Sequence, residues 1–267
     1  MPRNPLVSVI MPVFNAAPFV VATVDSVLRQ SLSDWELIAV DDSSTDSSAD
    51  VLAGLARRDP RIRVVTVSHN LGAGAARNIA MDCAAGRWLA FLDADDLWHP
   101  AKLERQIAAM ETAAIPISCT AYCRVDQVTG HHTLVGVPRR ATRIDLLKTN
   151  TVACSTAMID RAFVGSMRMG VIRRRQDYLF WLELLKLTPE ILGVGQVLMT
   201  YRRHSGSLSA RKLSAAADNW NMYRNELGLP VLPASWYFAN YALRGVMRHR
   251  LPSFARSLGV LHRAEDP

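Results

Sequence analysis

Cysteine pairs, long apolar runs and repeats are what this sequence lacks. Its four cysteines stand at 83, 119, 123 and 154 and show no C-x-x-C spacing. Nothing therefore argues for a disulfide framework, and buried free thiols are expected ahead of a metal site. No apolar stretch approaches the roughly 18 residues that a membrane-spanning helix needs. The opening M-P-R-N-P runs straight into a strand-like segment, without the apolar stretch of a secretory leader. A cytoplasmic chain is the expectation. Acidic residues are missing from Leu227 to Ala264, whereas Arg244, Arg248, Arg250, Arg256 and Arg263 fall inside that stretch.

What is present suffices for a proper core. The chain has 267 residues, 49% of them hydrophobic, enough for one large domain or two small ones. A formal charge of +7 favours an acidic partner, whether nucleic acid, an anionic membrane surface or a phosphorylated substrate. Simple solubility accounts for the same excess.

Two periods alternate along the first hundred residues. L-V-S-V-I-M-P-V at 6–13 is short and β-branched, as a buried strand is. Phe19, Val20, Val24, Val27 and Leu28 then share a helical face. W-E-L-I-A-V at 35–40, I-R-V-V-T-V at 62–67 and R-W-L-A-F-L at 87–92 read as further strands, with helices over 46–58 and 72–85 between them. Such alternation implies right-handed crossovers and a mainly parallel, Rossmann-like sheet flanked by helices. Beyond residue 115 the rhythm changes. Strands of mixed direction are expected over 117–125, 131–137, 151–159 and 191–202, and a helix over 176–187. From about 211 onward the chain reads as a helical appendage. The division expected is 1–209 for the α/β body and 210–267 for the basic helical region.

Acids cluster at the ends of these strands. Asp41 and Asp42 close the second, Asp93, Asp95 and Asp96 follow the fourth, and Pro12 and Asn15 end the first. Ligands of open parallel sheets bind beyond the carboxyl ends of the strands, so the clusters should face one cleft. Turn and cap duty accounts for either cluster alone. Together they call for a positive partner, most simply Mg²⁺ or Mn²⁺, which takes carboxylates and substrate phosphates. H-N-L-G-A-G-A-A-R-N at 69–78 has Arg77 where a dinucleotide fingerprint wants its third glycine. It reads better as a small-residue turn opening a helix, with Arg77 placed either to meet an anion or on a solvated face.

Four ordered segments now form a pattern: V-S-V-I-M-P-V-F-N, V-D-D-S-S-T-D, N-L-G-A-G-A-A-R-N and F-L-D-A-D-D-L-W-H-P. They resemble the family 2 inverting glycosyltransferases of the GT-A fold. R-R-Q-D-Y-L-F-W-L-E-L-L-K at 174–186 and Y-R-R-H-S-G-S-L-S at 201–209 extend the resemblance over about residues 6–209. The resemblance implies that Pro12, Val13, Asn15, Asp42 and Asn70 line a nucleotide-sugar site, usually UDP-linked, with Arg77 near the base or diphosphate. Asp93, Ala94 and Asp95 would be the D-x-D segment, with Asp93 towards the ribose and Asp95 the principal metal ligand. His204 would approach the metal or diphosphate, and Asp177 would be the catalytic base. The family often has Glu before this Asp; Gln176 stands here instead. The acceptor implied is a glycan or lipid-linked saccharide rather than nucleic acid.

Two further readings stay open at this point. A sugar nucleotidyltransferase would want a Gly-rich basic loop after the first strand, which P-V-F-N-A-A-P does not supply. A non-catalytic nucleotide- or membrane-binding module is the other. Wound as a helix, Trp236, Leu243, Val246 and Met247 share a side opposite Arg244 and Arg248, which suits an anionic bilayer at the inner face of the cell membrane. Covering the sheet or a second subunit of a homodimer would use the same pattern. Arg173, Arg174 and Arg175 would suit a phosphorylated acceptor or a solvated loop.

Overall fold

Strand β1 (Val7–Val13) is buried along its whole length, as its apolar run requires of a central strand. It pairs in parallel with β2 (Trp35–Asp41) on one side and β4 (Trp88–Phe91) on the other, and β3 (Ile62–Thr66) lies parallel beyond β2. The computed structural model describes residues 4–170, 172–204, 212–250, 255 and 259–266. Helices α1 (Ala17–Leu28), α2 (Ser48–Arg58) and α3 (Ala73–Cys83) make the connections. The order β3-β2-β1-β4 reverses direction between β1 and β4, so a crevice opens there beyond the strand ends. The ladder between β1 and β4 stops at Ile10 and Phe91. Pro12, two residues on, therefore leaves its missing N–H on a side where no strand asks for one.

Past β4 the sheet becomes mixed. A two-residue strand β5 (Leu97–Trp98) leads into α4 (Lys102–Ala113), then β6 (Ile117–Asp126), β7 (His132–Val135), β8 (Arg140–Thr142) and α5 (Arg143–Lys148). Strand β9 (Met158–Asp160) and the short α6 (Arg161–Val164) precede α7 (Gln176–Leu184) and the long β10 (Glu190–Arg203). β9 pairs antiparallel with both β4 and β6, and β10 lies parallel to β6 and antiparallel to β5. The expected mixed direction is therefore observed. One expectation needs correction. Residues 151–159 do not form a strand: Cys154–Thr156 is a 3₁₀ turn and only Met158–Asp160 pairs. That turn places the Ser155 hydroxyl beneath the acids that follow β4. Helix α7 also ends at Leu184 rather than 187, ahead of the L-T-P sequence that cannot continue it.

The C-terminal region is helical, with α8 (Lys212–Asn221), a π-helical turn Met222–Glu226 and α9 (Val231–Arg250). Its inner residues Met222, Tyr223 and Ala234 are fully buried in the same apolar cluster as Phe91, Tyr178, Phe180 and Trp181. Trp236, Leu243 and Val246 share the exposed side of α9, but Met247, which the helical pattern groups with them, is buried. Glu265 returns to the sheet, its N–H donating to the Gly195 carbonyl and its carbonyl accepting from Val197. Cys83, Cys119, Cys123 and Cys154 are free thiols, Cys119 and Cys154 buried. Among the described residues no helix is long and apolar enough to cross a membrane.

Candidate active site

Each acid after β4 has its own partner. Asp93 Oδ1 accepts from Arg77 Nη2 at 2.5 Å. Asp95 Oδ2 lies 3.0 Å from His204 Nε2. Asp96 is buried, takes the Ser155 hydroxyl at 2.6 Å on one oxygen, and takes the Arg202 backbone N–H at 3.2 Å on the other. The mutual repulsion of three neighbouring carboxylates is thus relieved in three different ways. Asp96 is the structural one. Burial and the charges of Asp95 and Asp93 hold its carboxyl well above the usual range.

Ser155 and Arg202 do most of the positioning. The Ser155 hydroxyl also accepts from the Asp93 backbone N–H at 3.0 Å, so one side chain spans the acidic turn. The Arg202 guanidinium donates to the Asp95 carbonyl and, at 2.8 Å, to Thr23 Oγ1, tying β10 to the turn and to α1. Thr23 in turn donates to the Ala94 carbonyl at 2.8 Å. Phe19 stacks on His204 with centroids 4.5 Å apart. None of these four residues stands out in the sequence as a site residue, although Arg202 and His204 share one short segment. Trp98 packs in the core and donates to the Ser155 carbonyl at 2.8 Å.

The other rim is built by loops. Asn15 sits at φ 49°, a conformation Asn tolerates, and its Oδ1 accepts from the Thr45 N–H at 2.8 Å. The Asp42 carboxylate accepts from the backbone N–H groups of Leu71 at 2.7 Å and Gly72 at 2.8 Å. Asn70 Nδ2 donates to the Asp42 carbonyl at 3.2 Å. Pro12, Val13, Asn15, Asp42 and Asn70 are therefore brought to one edge of the sheet. Gly72, at φ 92°, supplies the left-handed turn that opens α3.

Arg77 is more deeply placed than an exposed anion receptor. It is only 4% exposed, and among the described residues its Nε and Nη1 find no acceptor. Burial disfavours its charge, but Asp93, Cys154 and Asp177 more than compensate, so it stays firmly protonated. Asp177, half-buried in the first turn of α7, is pushed above the usual carboxylate range by burial, against the pull of Arg77. The helix cap is Arg175 rather than Asp177. One guanidinium thus bonds Asp93 and acts through its charge on Asp177. Gln176 is 7% exposed, its Oε1 has no partner among the described residues, and its side chain packs on Gly74. Arg173 Nη1 donates to Asn70 Oδ1 at 3.2 Å and Arg174 pairs with Asp218 at 2.9 Å.

Among the described residues no three of His, Cys, Asp or Glu converge on a point a metal could occupy. The Asp95–His204 pair, with Asp93 beside it, nevertheless suits Mn²⁺ or Mg²⁺ whose remaining ligands come from phosphate and water. Those cations usually take one or two carboxylates, and the fit is to that pattern. The second half of the 201–209 segment lies outside the described residues.

Comparison with known proteins agrees with this geometry. Residues 8–167 match the family model described as Glycosyl transferase family 2. A Bacillus subtilis (strain 168) protein, TuaG, named as a teichuronic acid biosynthesis glycosyltransferase, is 41% identical over 246 residues, covering 92% of this chain and 98% of its own. An Escherichia coli UDP-Glc:α-D-GlcNAc-diphosphoundecaprenol β-1,3-glucosyltransferase, WfgD, is 32% identical over 248 residues, covering 91% and 95%. In fold the chain is similar to S. aureus TarS 1-349 in complex with UDP-GlcNAc (TM-score 0.69, 18% identity, 94% of this chain and 75% of that one). It is similar also to the mannosyltransferase PcManGT from Pyrobaculum calidifontis in complex with GDP-Man and Mn²⁺ (TM-score 0.64, 17% identity, 97% and 80%). The architecture is that of the GT-A glycosyltransferases.

Proposed function

This chain belongs to glycosyl transferase family 2, and from that membership we propose a metal-dependent inverting transferase that moves a sugar from a UDP-linked donor to a hydroxyl of a glycan or lipid-linked acceptor. The product would be a bacterial-type surface polysaccharide or glycolipid, made at the inner face of the cell membrane. What supports the reading is Arg77, which is bonded to Asp93 and whose charge lowers the pKa of Asp177.

In this reading Pro12, Val13, Asn15, Asp42, Asn70, Asp93 and Ala94 form the nucleotide-sugar side. Asp95, with His204 beside it, would hold Mn²⁺ or Mg²⁺, which supplies Lewis-acid neutralisation of the departing diphosphate. Asp177 is the general base that takes the acceptor's hydroxyl proton as that oxygen attacks the anomeric carbon. Attack from the face opposite the leaving diphosphate inverts the configuration. Burial suits Asp177 to this work, because a carboxylate with a raised pKa is a stronger base. Arg77 keeps that rise in check and holds Asp93 in place.

Turnover of UDP-sugars in the wild type and the Asp177→Asn variant tests the assignment. The variant should retain donor binding in a thermal-shift assay and lose about 10²- to 10⁴-fold in kcat. Unchanged kcat would remove Asp177 from the mechanism. Asp95→Ala should abolish the EDTA-sensitive part of the activity, and a variant as EDTA-sensitive as wild type would refute the cation site.

A further inference from the structure

Among the described residues the outer face of α9 is left exposed, whereas its inner face is buried. Ala234 and Met247 are buried, and Tyr237 and Phe238 pack against the apolar cluster beneath. Outside, Leu232 is 84% exposed, Trp236 63%, Leu243 60% and Val246 57%, and Ala239 is exposed between them. Their spacing of four, three, four and three residues makes one continuous stripe along the helix. Exposed apolar residues scattered singly need no explanation, but a stripe of this kind does.

We propose that α9 docks on the surface of an anionic lipid bilayer, with Leu232, Trp236, Leu243 and Val246 entering the headgroup boundary. Charge selects this occupant. The sequence from Leu227 to Ala264 contains arginines at 244, 248, 250, 256 and 263 and no Asp or Glu. Basic residues beside an apolar stripe match anionic headgroups. A second copy of the helix would also fit the seven-residue spacing. It would, however, set two stretches of the same sign against each other, since Val231–Arg250 holds Arg244, Arg248 and Arg250 and no Asp or Glu. Tryptophan on the stripe suits the interface, where an apolar ring with one polar edge is favoured.

The position of the helix gives the docking a use. α9 packs on α5 and on the π-helical turn, where Tyr223 meets Tyr237 at 6.3 Å between ring centroids. The hydroxyls of Tyr178 and Tyr223 are bonded to the adjacent carbonyls of Leu146 and Leu147. Tyr178 follows Asp177 directly. The bilayer-facing helix and the acceptor side of the cleft are therefore built on the same support. This role deepens the reading of a lipid-linked acceptor given above and rests on it; the docking itself does not.

The test is co-sedimentation of the full chain with vesicles of phosphatidylcholine alone and of equal parts phosphatidylcholine and phosphatidylglycerol. The wild type should bind the mixed vesicles, less so as salt is raised, and leave the neutral ones in solution. Trp236→Ser combined with Leu243→Ser should weaken binding by about tenfold or more, given the apolar area removed. Its Tm and its affinity for UDP should not change. Wild type that fails to bind, binds both vesicles equally, or is matched by the double variant overturns the proposal. So does a wild-type dimer that the double variant converts to monomer, because a second copy would then own the face. Vesicle binding does not report turnover, so its failure leaves Asp177 untouched, and an inactive enzyme that still binds leaves the docking intact.

Discussion

Arg77, Asp177 and Lys102 are the residues whose charge states have measurable consequences. Replacing Arg77 by Met leaves Asp93 and Asp177 without their shared cation. The cost in stability should be roughly 2–3 kcal/mol, below that of a fully enclosed pair because Asp93 keeps some contact with water. Because Arg77 lowers the Asp177 pKa, the same variant should move the acid limb of the pH–rate profile to higher pH. With Asp177 as the proposed base, its working form would be the carboxylate, so kcat should fall as pH drops through a pKa above the usual 3.8. Lys102 behaves differently. It is buried, donates to Gln106 Oε1 at 2.5 Å, lies over the Trp98 ring at 4.6 Å, and is pushed down to about 7 by burial. Its native pKa lies below the unfolded value of 10.5, so the folded state binds fewer protons and stability rises with pH from about 7 to about 10.5. Lys102→Met should flatten that rise, as seen by urea denaturation below pH ~7 and above pH ~9. Asp93, Asp95 and Asp177 were legible in the sequence because acids at strand ends and a family pattern marked them. Ser155 was not, since its partner lies 59 residues away and no local spacing announces it, and Arg202, though inside the quoted 201–209 segment, gave no sign of its partner 106 residues away.

Elements differ in how far their own residues specify them. β1 and β2 are largely apolar with β-branched residues, β4 is wholly apolar, α1 shows a helical period, and the alternation of these elements leads directly to a parallel sheet. Helix α4 is absent from the sequence reading above, although Leu103, Ile107 and Met110 mark its buried face at the proper spacing. The Cys154–Thr156 turn and β8 are too short to carry a period, and tertiary pairing decides them. β10 gives the sharpest test at this scale. A Cβ on Gly193 would come within 1.8 Å of the Pro138 carbonyl oxygen, where the approach to β8 brings the two backbones together. Gly193→Ala should therefore lower stability by about 2–3 kcal/mol, measured by denaturant midpoint with the m-value unchanged. Since Arg202 and His204 lie further along the same chain segment, kcat should fall with it.

At the scale of the whole molecule, residues on either side of 209 pack together. Tyr223 and Ala234 have no exposed surface and share a cluster with Phe91 and Tyr178, and Glu265 is bonded into β10. A chain ending at residue 209 should therefore melt at least ~10 °C lower than the full chain, or fail to remain soluble, in a thermal-shift comparison. Equal melting temperatures would establish residues 1–209 as an independent unit. The sequence reads as a helical appendage there because its composition changes, becoming basic and rich in Pro-bounded helices. Its inward aromatic residues carry the opposite message, readable only once their neighbours are known. The tyrosine hydroxyls seated on Leu146 and Leu147 bear on how such enzymes could be recombined. Exchanging the C-terminal region between two family members transplants one of those hydroxyls and leaves the other behind. A viable chimera must therefore import a donor for the Leu147 carbonyl or leave it dry, which makes this junction a natural barrier to modular exchange.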